Sequence, residues 1–231
     1  EAPKGFVYQA GVTLETLLIA LARFAVRVGL DFDNTLAEYD HLFANLAVET
    51  GLFAKSPGGK RDVRDQLRLR PNGEYLWRRL QAMAYGPCLD EAQLFAGAAE
   101  FLTACRDAKI EVVIVSHKTR FPACKEFKTD MRQAALDWMK RRDFFIVDGF
   151  ALKSENIHFA DSRSEKVQMI SELKCNFFVD DLEEVFIEPG FPVSTGKVLF
   201  APDQTRSSLP VKHCRHWKEI ADVIIGQPAY A

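Results

Sequence analysis

The 231 residues are 48% hydrophobic, 11% aromatic and 27% charged, which supplies a real core and excludes a disordered or fibrous chain. The length suits one domain carrying a sizeable insertion, or two small ones. Lys plus Arg is 30 and Asp plus Glu 32, a formal net charge of −2, so wholesale binding to nucleic acid or an acidic membrane is not indicated. Cys88, Cys105, Cys124, Cys175 and Cys214 are odd in number and form no CxxC pair. That argues against a disulfide framework or a zinc cluster and fits a reducing, cytoplasmic setting.

In chain order, Thr13 can cap a helix whose Leu14, Leu17, Leu18 and Leu21 share one face. The apolar stretch Leu14–Val28 is interrupted by Arg23 and Arg27 and falls short of the roughly 20 residues that span a bilayer. Only Lys4 supplies positive charge ahead of Leu17–Ala22, which argues against a secretory signal. Phe24–Phe32 then reads as a buried strand bearing Asp31 at its end, with Asp33 in the turn-forming pair Asp33-Asn34.

From Ala37 to Phe95 the pattern is helical and more polar, broken at Ser56-Pro57-Gly58-Gly59 and Arg70-Pro71-Asn72-Gly73, with no strand alternation. The run Lys60–Arg79 has a basic excess that could face an anionic ligand or simply be solvated. From Gly97, helices and strands alternate: a helix over Ala98–Ala108, a strand Glu111–Val115 ending on Ser116, and a helix around Lys128–Arg142. A short strand follows near Ile157–Phe159, then a helix Ser164–Leu173 and a strand Asn176–Val179 running into Asp180-Asp181. A last strand Lys197–Phe200 and a helix around His216–Ile225 end the series.

This order predicts an α/β fold, a doubly wound Rossmann-like parallel sheet with a helical cap inserted after the first strand. The expected division is a core of residues 1–36 and 96–231 and a cap of 37–95. Ligands bind such sheets at the carboxyl ends of strands. There Asp31, Asp33, Asp180 and Asp181 would repel one another unless a hard cation sits among them. Oxygen donors without His or Cys favour Mg²⁺, and phosphoryl transfer is its natural chemistry.

Asp-Phe-Asp-Asn-Thr-Leu, then Val-Ile-Val-Ser, then Glu165-Lys166 at a helix start, then Phe-Val-Asp-Asp, in that order, resemble the haloacid dehalogenase superfamily. The resemblance organises nearly all of residues 24–200. It implies that Asp31 is a nucleophile forming an aspartyl-phosphate and that Asp33 protonates the leaving oxygen and then activates water. It implies further that Ser116 binds a phosphoryl oxygen and that Lys166, favoured over Lys153, neutralises Asp31 and the phosphate. Mg²⁺ would be held by Asp31, the Asp33 carbonyl, Asp180 and Asp181.

A family dehalogenase lacks the second acid and needs no Mg²⁺, so Asp33 favours a phosphatase; a phosphomutase would use the same residues. His117 and Lys118 are candidate substrate contacts, Arg120 a weaker one. The helical segment implies a cap of the C1 type over the site, with Tyr39, His41, Arg68, Arg70, Trp77, Arg78 and Tyr85 as candidate readers of the substrate. A lid of this size suits a small phosphorylated metabolite better than a macromolecule. The competing functions are a non-catalytic module that binds a phosphorylated ligand and a nucleic-acid end-processing phosphatase.

Overall fold

The computed structural model describes residues 26–203 and 207–226; the helix expected over Leu14–Leu21 lies outside them. Strands β1 (Arg27–Leu30), β4 (Glu111–His117), β5 (Ile157–Ala160), β6 (Phe177–Asp180), β7 (Gly196–Phe200) and β8 (Lys212–Cys214) form one sheet, in the order β5-β4-β1-β6-β7-β8. Every pairing in it is parallel. Helices α4 (Ala98–Asp107), α5 (Met131–Arg141), α6 (Arg163–Glu172) and α8 (Trp217–Ile224) connect and cover the strands, with a short α7 (Glu183–Phe186) after β6.

Both faces of the sheet are buried, and the strands alternate between two apolar clusters. Val112 and Ile114 of β4 pack with Phe32, Phe101 and Trp138, whereas Val113 and Val115 pack with Val167, Phe178 and Leu199. This is the continuous apolar run that a strand covered on both sides requires. Gly29 in β1 is dictated by closeness: a Cβ there would lie 2.4 Å from a ring carbon of Phe178.

β1 lies centrally, with Leu30 opposite Ile114 on one side and Val179 on the other. The chain runs outward from β1 through β4 and β5, then returns to place β6 on the opposite side of β1. The carboxyl ends of β1, β4 and β6 are therefore adjacent at the point where strand order reverses.

The doubly wound sheet is as expected, and four details differ. Among the described residues the first strand is Arg27–Leu30 and stops short of Phe32, because the chain bends there, the Phe32 carbonyl accepting from the Leu36 and Ala37 amides; Phe24 and Ala25 of the expected strand lie outside the described residues. The segment expected to lack strands is bounded by a two-residue antiparallel pair, β2 (Ala37–Glu38) with β3 (Gln93–Leu94). The strand expected to end on Ser116 extends to His117. Lys197–Phe200 is followed by β8, which pairs in parallel with β7.

Between β2 and β3 lie α1 (Asp40–Glu49), α2 (Lys60–Arg68) and α3 (Gly73–Ala84). They pack through Leu42, Phe43, Leu46, Val63, Leu67, Trp77 and Leu80 into the larger apolar cluster. At Gly59, where α2 meets α1, a Cβ would fall 2.6 Å from the Asp40 carboxyl carbon, so a larger residue there displaces the Asp40 side chain. All five cysteines are free thiols. No helix among the described residues is long and apolar enough to cross a membrane.

Candidate active site

Asp31 continues past β1, its amide donating to the Val179 carbonyl at 2.9 Å, which turns its buried carboxylate toward the end of β6. Lys166 arrives from the first turn of α6. Ser162 caps that helix by accepting from the Glu165 amide, and Glu165 in turn accepts from the Asp161 amide, a reciprocal arrangement that fixes the helix start. The Lys166 ammonium meets Asp31 Oδ1 at 2.5 Å and Asp180 Oδ2 at 2.6 Å. Asp180 Oδ1 accepts from the Leu182 amide at 3.0 Å, so both Asp180 oxygens are engaged.

One carboxylate oxygen from each of Asp31, Asp180 and Asp181 lies within 4.8 Å of the others. Burial, with the Asp180 and Asp33 charges, outweighs Lys166 and pushes Asp31 up to about 7. Burial together with Asp180 and Asp31 raises Asp181 well above the usual carboxylate range. Burial opposes charge on Lys166, but Asp180 and Asp31 overcome it and raise its affinity for the proton. Three carboxylates and one ammonium sum to −2. An all-oxygen donor set with that surplus suits a hard divalent cation such as Mg²⁺.

The carboxylates open into a cleft of about 90 Å³ whose lining includes Asp33, Ser116, His117, Arg163 and Asp181. Ser116 is buried at the β4 end, and its hydroxyl has no hydrogen-bond partner among the described residues. A buried polar atom in that state is costly unless a ligand satisfies it. A larger hollow of about 300 Å³, lined in part by Pro87, Asp90, Thr129 and Arg141, holds none of these groups. Its Asp90 is already paired with Arg141 at 2.6 Å.

Asp33 stands apart from the three-carboxylate group. Lys118, itself buried, donates to Asp33 Oδ1 at 2.9 Å and Oδ2 at 2.7 Å. The hydroxyl of Tyr39 also donates to Asp33 Oδ1. Lys118, expected as a substrate contact, is thus committed to the neighbouring acid, whereas His117 is exposed and lines the cleft. Lys153, the competing lysine, is exposed at the start of a 3-10 turn.

Several candidate readers in the inserted segment are occupied elsewhere. Arg68 and Arg78 both hold Glu74, at 3.0 and 3.2 Å. Arg70 bonds the Leu52 carbonyl at 2.5 Å and covers the Phe53 ring. His41 contacts Asn45, and Trp77 stacks on Phe43. Tyr39 and Tyr85 do reach the site, with Tyr85 beneath Lys118 and Lys60. Arg120 pairs with Asp130. The residues missed in the sequence are Arg163, whose ion-pair partner Glu188 is 3.8 Å away, and Lys60, which donates to Asn34 Oδ1 at 2.7 Å. Lys60 carried only one signal, its place at a helix start within a basic run.

No protein-family model and no curated protein matches the sequence. Among solved structures, a dehalogenase determined with an intermediate complex is 17% identical, covering 86% of this chain and 96% of that one, with a TM-score of 0.54. A HAD-superfamily hydrolase from Ehrlichia chaffeensis is 14% identical, covering 87% and 96%, with a TM-score of 0.49. The chain shares the fold of the solved dehalogenase. Protein tyrosine kinase A of Mycobacterium tuberculosis has a similar structure, at 16% identity, 86% and 97% coverage and a TM-score of 0.53. Proteins of quite different description thus share this fold, and function has to be argued from the side chains at the site.

Proposed function

We propose that the chain is a Mg²⁺-dependent phosphatase that hydrolyses a small phosphomonoester through an aspartyl-phosphate on Asp31. The observation that carries this reading is a second acid, Asp33, on the same cleft two residues beyond Asp31. A dehalogenase acting through one aspartate has no leaving alkoxide to protonate and no use for it. The partnerless Ser116 hydroxyl beside the cleft supports an oxyanion ligand.

In the first half-reaction the Asp31 carboxylate attacks phosphorus, the ester oxygen departs, and Asp33 gives that oxygen a proton. In the second, Asp33 takes a proton from water, the resulting hydroxide attacks the same phosphorus, and inorganic phosphate leaves with Asp31 restored. Ser116 donates to a phosphoryl oxygen. Lys166 balances charge on Asp31 throughout and holds Asp180 in place. Asp31, Asp180 and Asp181 would hold Mg²⁺, which supplies positive charge against the transferring phosphoryl group. The segment 37–95 serves as a helical cap that keeps bulk water and macromolecular substrates out.

Release of phosphate from 4-nitrophenyl phosphate and a panel of sugar, nucleotide and small-acid phosphates, with Mg²⁺ and with chelator, tests the reading alongside Asp31→Asn. Mg²⁺-dependent turnover that Asp31→Asn abolishes is expected. Halide release from 2-haloacids in chelator, without phosphate release from any ester, would overturn it.

A further inference from the structure

Two side chains of the inserted segment grip the loop that carries Asp33. Tyr39, just before α1, donates its hydroxyl to Asp33 Oδ1. Lys60, the first residue of α2, crosses the faces of Tyr39, Phe43 and Tyr85, its ammonium 5.9, 5.9 and 5.5 Å from the ring centres, and donates to Asn34 Oδ1 at 2.7 Å. The Lys60 backbone is fixed by its amide bond to Asp40 Oδ1 at 2.9 Å. Asn34 has a φ of 61°, in the left-handed region that asparagine tolerates better than most side chains.

The consequence at Asp33 follows from counting acceptor sites. A carboxylate oxygen offers about two. Among the described residues, Oδ1 receives both Tyr39 and Lys118, whereas Oδ2 receives Lys118 alone. Oδ1 is filled, and Oδ2 keeps one site for a leaving group or a water. Lys60 acts one residue further on, tying the Asn34 side chain and with it the turn that sets the direction of the Asp33 carboxylate.

We propose that Tyr39 and Lys60 are positioning residues that aim Asp33 Oδ2 at the leaving-group oxygen, so that the inserted helices complete the proton-transfer geometry. This rests on the phosphatase reading above. Neither residue lines the cleft that holds Asp31 and Ser116, so the effect belongs to the steps in which Asp33 moves a proton.

The experiment compares wild type, Tyr39→Phe, Lys60→Met and the double variant on two Mg²⁺-supplemented substrates. One is 4-nitrophenyl phosphate, whose leaving group departs without a proton; the other is a simple alkyl phosphate, whose alkoxide needs one. The readout is kcat/KM, which covers the steps up to departure of the leaving group and omits the later activation of water by Asp33, a step common to both esters. Each single variant should lose about tenfold or more in kcat/KM on the alkyl ester, part of the roughly 10²–10⁴-fold that a well-placed proton donor contributes, and less than about threefold on the aryl ester, with thermal melting confirming folded protein. Equal losses of kcat/KM on the two esters, or none on either, would overturn the positioning role while leaving the phosphatase reading intact. A wild type inactive on both esters and on the wider panel would overturn the phosphatase reading, and this inference with it.

Discussion

Asp181→Asn removes one charge from the three-carboxylate group and keeps its shape. At 4.8 Å, the limit within which these oxygens lie, and an effective dielectric of about 20, two unit charges repel by at least roughly 332/(20 × 4.8), or about 3.5 kcal/mol. Asp181 meets two such neighbours, so the gross repulsion is about 7 kcal/mol. Lys166 bonds Asp31 and Asp180 rather than Asp181, and its charge and that of Lys60 recover only part of that repulsion. After relaxation and water penetration, a residual of about 1–3 kcal/mol is expected. The metal-free Asn variant should therefore melt about 2–12 °C above wild type near pH 8.

The pH dependence has a definite sign. Asp181 is raised well above 3.8, and Asp31 is raised from 3.8 to about 7. Above the unfolded value the native state binds more protons than the unfolded one, so wild-type stability from these groups is greatest below about pH 4. It is lost as pH rises through the folded values, up to about pH 7 for Asp31. The advantage of the Asn variant should therefore shrink toward pH 5. Mg²⁺ reverses the order: a ligand at 100 times its Kd stabilises by about 2.7 kcal/mol, and the variant, short of an anionic oxygen, should gain less. Thermal melts of both proteins at pH 5 and 8, in chelator and in Mg²⁺, check this. Identical melting at pH 8 in chelator together with an identical response to Mg²⁺ would refute the cation site.

Lys166→Met leaves Asp31 and Asp180 buried without their shared ammonium; denaturant unfolding in chelator should show a loss of about 3–5 kcal/mol, and an unchanged midpoint would mean that the pair is not structural. Ser116→Ala removes a hydroxyl that no described residue satisfies, so its unfolding free energy should stay within about 1 kcal/mol of wild type. Its affinity for inorganic phosphate with Mg²⁺, by titration calorimetry, should fall about 10–100-fold, the worth of a hydrogen bond to a charged oxygen. Gly29→Ala forces a methyl against Phe178 and Cys175 and should cost about 1–3 kcal/mol in the same denaturant measurement, without altering the Mg²⁺ response per folded molecule.

The sheet was legible because its strands are short β-branched and aromatic runs between capped helices, and β8 escaped because Lys212-His213-Cys214 has neither feature. It pairs only because β7 offers an edge. β2 and β3 escaped for a related reason: two residues show no alternation, and their pairing closes a 54-residue excursion from Glu38 to Gln93 that no local pattern records. The acid positions were legible because each immediately follows an apolar strand, and parallel pairing brings such ends together whatever their separation in sequence.

That principle explains why a distant lysine could be read and a near one could not. Lys166 is 135 residues from Asp31 and was reached through the motif order of the resemblance; it occupies the first turn of a helix packed against the sheet, a place where regular geometry aims a side chain at the strand ends. Lys60 is only 26 residues from Asn34; its direction depends on how α2 seats against α1, on the absence of a side chain at Gly59, and on three aromatic rings beneath its stem. Lys118 shows the same limit within the core. Its place just after β4 marked it as near the site, but the choice between a ligand and Asp33 was decided by the position of the Asp33 carboxylate, which Tyr39 of the insertion helps to fix. Where regular elements set a side chain's direction, the sequence carries the contact; where irregular packing sets it, charge and spacing identify a candidate and only the coordinates name its partner.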